Sequence, residues 1–243
     1  MNENKTYIIN TIKEEFDTFG LKLYHYPKLA SMLSYEHLKD TDQGVNVILQ
    51  EKYAWAIVVM KLHLKSRIKD PTSLVGRTWY SGRKGPYYRR EYELTYHDEV
   101  VVAGASYSIL LNVIDRSIYR LKQLPFKELN PIPNHLVNLQ ANFRQDLDYE
   151  NMSEGVVIEE YIDALGHTNH LYYVEFIYNA LTEEDLKEVN RYNTMELFFH
   201  KEMVLGDVFT VNKGYLDEFL IFLIYNKTNE EKAFTLKLSK ESL

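Results

Sequence analysis

The sequence predicts an α+β fold in which one unit, a long helix followed by about four antiparallel strands, occurs twice. Three observations support this. Apolar residues follow helical spacing over residues 21–39, apolar and polar residues alternate strictly over residues 60–65, and the order of patterns in the first half returns in the second. Because a helix and a sheet bury one face of each other, and two such sheets can join edge to edge, we expect a sheet built from two repeats.

The first half begins with the helix over residues 21–39, in which Leu29 and Leu33 share one helical face. Strands are then expected at residues 60–65, 74–80, 87–96 and 99–113. The last two of these form a hairpin that turns at His97-Asp98. Residues 116–134 hold three of the six prolines and little periodicity, so we interpret them as a linker.

The second half repeats this order. A helix is expected at residues 171–181, and strands at residues 156–162, 194–204, 206–212, 219–226 and 232–238. The halves can be superimposed with Phe19-Gly20 on Leu165-Gly166, Met60-Lys61-Leu62 on Met195-Glu196-Leu197, and Leu74-Val75-Gly76 on Val204-Leu205-Gly206. We therefore divide the chain into an N-terminal unit, residues 1–130, and a C-terminal unit, residues 131–243.

Composition excludes several classes of chemistry. The chain has 243 residues and no cysteine, so disulfides, thiolate zinc sites and a cysteine nucleophile are excluded. The first residues lack both a basic start and an apolar segment, and no window approaches 18 uninterrupted apolar residues. We therefore expect a cytoplasmic protein without a membrane partner.

The net charge of −7 is unevenly distributed. Residues 61–92 carry nine Lys and Arg residues against two acids, Asp70 and Glu91. The nine are Lys61, Lys65, Arg67, Lys69, Arg77, Arg83, Lys84, Arg89 and Arg90. A basic face on an acidic protein favours an acidic protein partner over nucleic acid. A set of separate, solvated strand faces would explain the same composition.

The segment DALGHTNH, residues 163–170, places an acid, two histidines and an amide immediately before an apolar run. At a helix N-terminus the unpaired backbone N–H groups around His167–Asn169 could hold a substrate oxygen that becomes negative during reaction, and Gly166 would let a ligand approach closely. Asp163 is then the candidate that activates water or attacks the substrate directly. The alternative for Asp163 is a structural role, because aspartate is a common helix cap. For His170 we favour a structural role over a catalytic one.

Other sites are less well supported. His167 and His170 lie three residues apart, but the spacing matches no known zinc motif, so we expect no metal and no cofactor. The glycine-rich turn at residues 81–85 lacks the spacing and the following helix of a phosphate-binding P-loop.

Four segments carry a resemblance to the fatty acyl-ACP thioesterases. They are VGRTWYSGRKGPYYRREYEL and GASYSILLNVIDR in the first half, and YIDALGHTNHLYYVEFIYNAL and MELFFHKEMVLGD in the second. The resemblance implies two tandem hotdog folds, each a long helix wrapped by an antiparallel sheet, in a double-hotdog architecture. It also implies that the acyl chain lies in the first repeat and the reactive residues in the second.

The family's catalytic aspartate, histidine and glutamate match Asp163, His167 and Glu202. The family's asparagine falls on Leu165, which can neither donate nor accept a hydrogen bond. Asn169 could supply an amide from another direction. His167 would orient water or protonate the leaving thiolate, and Glu202, expected on a neighbouring strand, would hold His167 or water. A turn histidine and a solvated strand residue are the structural alternatives for these two.

The resemblance implies a hydrolase that releases free fatty acid from acyl carrier protein in fatty acid biosynthesis, as a monomer or homodimer. Gly166 and the basic residues Arg83, Lys84, Arg89 and Arg90 would contact the substrate or the acidic carrier. The turn at residues 81–85 would contact the carrier's phosphopantetheine or its acids. The apolar residues of 21–38 and 55–64 would line the acyl tunnel, or form ordinary core. Because Leu165 replaces the family's asparagine, a non-catalytic acyl-binding protein is an alternative function. An acyl-CoA thioesterase is a further alternative, which would differ only in its leaving group.

Overall fold

The computed structural model describes residues 5–39, 41, 43–120, 124–145 and 147–241. This part of the chain forms four α-helices and twelve strands. The helices are α1 (His25–Leu38), α2 (Val45–Gln50), α3 (Tyr172–Ala180) and α4 (Glu183–Val189). The strands of the first half are β1 (Thr6–Asn10), β2 (Phe16–Asp17), β3 (Gly20–Leu21), β4 (Tyr53–Leu64), β5 (Ser73–Lys84), β6 (Tyr87–Tyr96) and β7 (Glu99–Asn112). Those of the second are β8 (Glu150–Val156), β9 (Thr194–Phe199), β10 (Val208–Leu216), β11 (Phe219–Asn226) and β12 (Glu231–Ser239).

Ten of these strands form a single antiparallel sheet in the order β1-β5-β6-β7-β4-β9-β12-β11-β10-β8. Outward from the centre, the first half gives β4, β7, β6, β5, β1 and the second gives β9, β12, β11, β10, β8. The two series are equivalent. In the first half β5, β6 and β7 form a three-stranded meander whose last strand pairs with β4, and in the second half β10, β11 and β12 form a meander whose last strand pairs with β9. The duplication predicted from the sequence is therefore confirmed as one continuous sheet.

The two repeats join where β4 pairs with β9. Lys61 lies opposite Glu196, with Met60 opposite Leu197 and Leu62 opposite Met195. These are the residues that the sequence superimposed, so an approximate two-fold axis passes through the Lys61–Glu196 pair. Because side chains alternate along a strand, Met60 and Leu62 enter the core while Lys61 lies on the opposite face.

Both long helices pack on one face of the sheet and touch each other. Lys28 of α1 donates to Glu175 of α3 at 2.7 Å, and the hydroxyl of Ser31 lies 3.0 Å from Nε2 of His170. One buried core contains residues of α1, α3 and the strands of both halves. The chain thus forms two helix-in-sheet units side by side, and the predicted double-hotdog fold is confirmed.

Some predicted boundaries are wrong. The strand expected at residues 156–162 ends at Val156, and the one expected at 194–204 ends at Phe199. Residues 204–206 form a turn, closed by the carboxylate of Asp207, which accepts from the N–H of Val204 at 3.0 Å. Their superposition on residues 74–76, which lie inside β5, therefore fails. Apolar residues in such a turn are easily mistaken for strand.

The connection from β7 to β8 covers part of the sheet face opposite the helices. Val137 and Leu139 pack there against Val59 and Phe198. The predicted linker, residues 116–134, lies in this connection, and its residues 121–123 are outside the described part of the chain. The division at residue 130 falls in the same connection and stays a prediction. Within the described ranges, no helix combines the length and apolarity needed to cross a membrane.

A histidine on α1 makes the fold sensitive to acid. Arg90 of β6 lies with Nη1 3.0 Å from Nδ1 of His37. Arginine can only donate, so Nδ1 must be unprotonated. Burial, and then the charge of Arg90, lower the pKa of His37 to about 4. The unfolded chain binds a proton near pH 6.5 that the folded chain does not, so stability falls as pH drops from about 6.5 to 4.

We expect His37→Gln to weaken this dependence, because a glutamine amide oxygen can also accept from Arg90 but does not titrate. Urea unfolding at pH 7, 6 and 5 should show wild type losing on the order of 1–2 kcal/mol more than the variant, after allowance for partial solvent screening. Equal losses in both proteins would contradict the assignment. His25 and His170 remain in both and serve as the common background.

Candidate functional site

The DALGHTNH segment is a tight turn built around the carboxylate of Asp163. Its Oδ1 accepts from the N–H of Leu165 at 2.8 Å and from the N–H of His167 at 3.3 Å. Gly166 takes a φ of +81°, which suits glycine. Asp163 is therefore a turn cap. Its Oδ2 receives no hydrogen bond from any described residue, so the cap role leaves one oxygen available.

The first repeat contains the same turn in a closed form. Asp17 Oδ1 accepts from the N–H of Phe19 at 2.6 Å, but its Oδ2 accepts from the hydroxyl of Tyr178 at 2.7 Å. Flanking residues pair as Phe16 with Leu21 in the first repeat and as Ile162 with Thr168 in the second. The second turn is thus one residue longer.

His167 is the last residue of that longer turn. Its Nε2 lies 3.5 Å from Oε2 of Glu202, while its buried Nδ1 has no hydrogen-bond partner. Burial and then the charge of Arg116 lower the pKa of His167, and Asp163 partly opposes them. The imidazole is therefore neutral at pH 7. A proton on Nε2, facing the carboxylate, leaves Nδ1 as an unused acceptor.

Glu202 lies in the loop between β9 and β10, not on a strand. The loop is fixed at Met203, whose N–H donates to the Tyr173 hydroxyl at 3.3 Å and whose carbonyl accepts from the N–H of Thr168 at 2.8 Å. The Glu202 carboxylate also forms an ion pair with Arg116, which follows β7 in the first repeat. Sequence reasoning missed Arg116, because nothing local to residue 116 indicates a partner in the other repeat.

Asn169 begins the approach to α3. Its Oδ1 accepts from the N–H of Leu171 at 3.1 Å, so the Nδ2 group is left as a donor without an acceptor among the described residues. The expected use of backbone N–H groups as an oxyanion site is wrong. The N–H groups of His167, Thr168 and Asn169 already donate to Asp163, Met203 and Tyr161.

The predicted basic face is not formed. Arg89 is buried, donates to Glu91 at 2.5 Å and to the carbonyl of Val137 at 2.6 Å, and so cannot meet a carrier protein. Arg90 points to the opposite face, towards His37. Arg83 and Lys84 are exposed at the tip of the β5–β6 hairpin. Arg89 and Arg90 cannot share one face, because consecutive residues of a strand face opposite sides of a sheet.

Others of the nine cations are also engaged within the fold. Lys61 pairs with Glu241, and Arg67 donates to the carbonyls of Val189 and Tyr192.

His170, which links the start of α3 to Ser31, has its pKa lowered to about 4 by burial. Within the described residues, no group of three or more His, Asp and Glu side chains could hold a metal ion.

A cavity of about 350 Å³ lies in the first repeat. Its lining residues are Val47, Ile48, Glu51, Tyr53, Pro125, Phe126 and Lys127. Tyr53 pairs across the sheet with Asn112, whose carbonyl accepts from the N–H of Arg116 at 3.0 Å. Tyr53, a lining residue, is thus linked through Asn112 to the backbone of Arg116, whose side chain pairs with Glu202. The residues expected to line a tunnel, such as Leu29 and Leu62, are buried in the core instead.

Solved structures resemble the whole chain. An acyl-ACP thioesterase from Bacteroides thetaiotaomicron superimposes with a TM-score of 0.77 at 14% identity, covering 99% of this chain and 98% of that one. A 12:0-ACP thioesterase from Umbellularia californica gives 0.79 at 11% identity, covering 98% and 97%. A protein from Lactobacillus plantarum described as an oleoyl thioesterase gives 0.76 at 12% identity, covering 99% of both chains.

No protein-family model matches the sequence, and no curated protein matches it. The similarity is therefore one of structure, and it extends over both repeats. The chain has the double-hotdog fold of these thioesterase structures.

Proposed function

We propose that the protein is a thioester hydrolase that releases fatty acid from acyl carrier protein. One observation carries the proposal. The fold brings Asp163, His167 and Glu202 together, and it leaves one carboxylate oxygen of Asp163 and the buried Nδ1 of His167 without a hydrogen-bond partner among the described residues. A carboxylate can orient a water molecule, and a neutral imidazole can accept its proton as a general base.

In the proposed reaction, Asp163 Oδ2 holds the water and His167 Nδ1 accepts its proton as the water oxygen attacks the thioester carbonyl. The Nδ2 group of Asn169 donates to the oxygen that becomes negative. The carbon–sulfur bond then breaks, and the imidazolium returns the proton to the leaving thiolate. Asp163 favours the transient imidazolium by its charge. The balance is one water consumed, with one acid and one thiol formed.

The acyl chain would occupy the cavity of the first repeat. Its volume falls within the usual range for small-ligand pockets, about 300–1,000 Å³. Ile48, Tyr53 and Phe126 give it an apolar lining, and Lys127 and Glu51 supply polar groups. Of the basic residues in the predicted carrier contact, Arg83 and Lys84 are exposed and available to an acidic partner.

A non-catalytic acyl-binding protein is the second candidate, favoured by Leu165 in place of an asparagine. The free amide of Asn169 argues against it, because the site still has a side-chain donor. An acyl-CoA thioesterase would use the same residues. Release rates on acyl-ACP and acyl-CoA esters of equal chain length separate the carriers, and faster release from CoA would contradict the ACP assignment.

We expect Asp163→Asn to lower kcat by about 10²–10⁴-fold on an acyl-ACP panel, since it removes the carboxylate. The asparagine oxygen can still accept from Leu165 and His167, so the turn is retained. Asp17→Asn is the matched control in the first repeat and should keep full activity. Undiminished release by Asp163→Asn would remove Asp163 from the mechanism. If folded wild type releases no fatty acid at any chain length, the hydrolase proposal fails.

Asn169→Asp separates capping from catalysis. The aspartate can still accept from the N–H of Leu171, but it cannot donate to an oxyanion. We expect kcat to fall by about 10²–10³-fold with little change in thermal stability. A variant as active as wild type would show that the oxyanion donor lies elsewhere.

Val47→Phe should fill part of the cavity from α2. We expect the longest acyl chain that is hydrolysed efficiently to become shorter, measured as kcat/KM across chain lengths. Val45→Phe, on the same helix but outside the cavity lining, is the control. If both variants keep the wild-type chain-length profile, the acyl chain does not enter this cavity.

A further inference from the structure

Arg116 occupies a turn that holds it in an unfavourable backbone conformation. Its φ is +61°, a region that residues other than glycine and asparagine rarely adopt. The turn is well bonded: Asn112 donates its N–H to the carbonyl of Ser117 at 2.9 Å, and its Oδ1 accepts from the N–H of Ile114 at 2.8 Å. The same conformation occurs in the hairpin turn at His97-Asp98, and at Arg116 the hydrogen bonds of the turn fix the point from which the side chain extends.

The guanidinium of Arg116 binds the same oxygen that faces the histidine. Oε2 of Glu202 receives Arg116 and lies 3.5 Å from Nε2 of His167. Glu202 is on an exposed loop, and 45% of its side-chain surface is accessible. A carboxylate so exposed would sample many rotamers without a partner.

Building on the hydrolase proposed above, we propose that Arg116 is a positioning residue supplied by the first repeat, which holds Glu202 against His167 and so fixes the tautomer that leaves Nδ1 free. Catalysis in the second repeat then depends on a contact that forms only when the two repeats are joined. Arg116 does not touch the substrate in this scheme.

The charges around His167 make the role measurable. Asp163 faces it from its own turn, Glu202 from the loop after β9, and Arg116 from the turn after β7. On α3 the nearby titratable group is Tyr173, whose pKa burial raises to about 12, so it stays neutral in the test. Removing Arg116 removes a cation that lowers the histidine pKa.

The test uses Arg116→Asn, because asparagine tolerates the positive φ and carries no charge, and Arg116→Lys, which keeps the charge. We expect Arg116→Asn to raise the His167 pKa by at least ~0.5 unit, followed by NMR titration of the imidazole signal that disappears in His167→Gln. The acidic limb of the kcat profile should move to higher pH, since a protonated imidazole cannot accept a proton. At pH 7, kcat should fall ~10–100-fold with little change in KM.

Arg116→Lys should stay near wild type in the His167 pKa and lose less activity. Arg120→Gln, which removes an exposed charge four residues further on, should change neither. An unchanged His167 pKa and pH profile in Arg116→Asn would overturn the inference. So would an equal pKa shift in Arg120→Gln, because the effect would then be one of general charge.

The titration is independent of turnover, so the two proposals fail separately. If the wild-type protein has no thioesterase activity, the hydrolase proposal is wrong. The NMR titration still decides whether Arg116 controls the pKa of His167. A wild type that is active, with an Arg116→Asn variant that matches it in rate and pKa, sinks the positioning role alone.

Discussion

The antiparallel pairing of β4 with β9 is the constraint on which the rest of the structure depends. It converts two five-stranded sheets into one and removes an exposed edge from each. The same pairing sets the approximate two-fold relation at Lys61 and Glu196, and that relation brings α1 and α3 into contact across Lys28 and Glu175. The segments that meet around His167 come from both repeats, so the site depends on this junction as much as the core does.

The two repeats show how one turn has been used in two ways. In both, an aspartate closes the turn through one oxygen. Where Tyr178 donates to the second oxygen of Asp17, the group is satisfied and structural. In the second repeat the turn is a residue longer, that residue is His167, and the second oxygen of Asp163 stays open. Asp163 can therefore cap the turn with one oxygen and still have the other available for the proposed reaction.

Much of the fold follows from local pattern in the sequence. The hairpin at His97-Asp98 was predictable because both residues can adopt the positive φ that a tight turn requires, and both do. The duplication was predictable because the central strands repeat Met-x-Leu. What was missed depends on distance: the Glu202–Arg116 pair and the covering of the sheet by Val137 involve residues remote in sequence. The grouping of Arg89 with Arg90 was avoidable, since strand alternation alone places them on opposite faces.

The charges of Asp163, Glu202 and Arg116 around His167 determine, together with burial, which protonation state of the imidazole is favoured. A neutral imidazole between two carboxylates would ordinarily be drawn towards its protonated form, because both neighbours favour a positive charge. Burial, and after it the guanidinium of Arg116, act in the other direction, and the net pKa is lowered. The first repeat therefore contributes a charge that adds to burial in keeping the second repeat's histidine neutral. A strained turn is a reasonable cost for that contribution, because a flexible one could not hold Arg116 against an exposed glutamate.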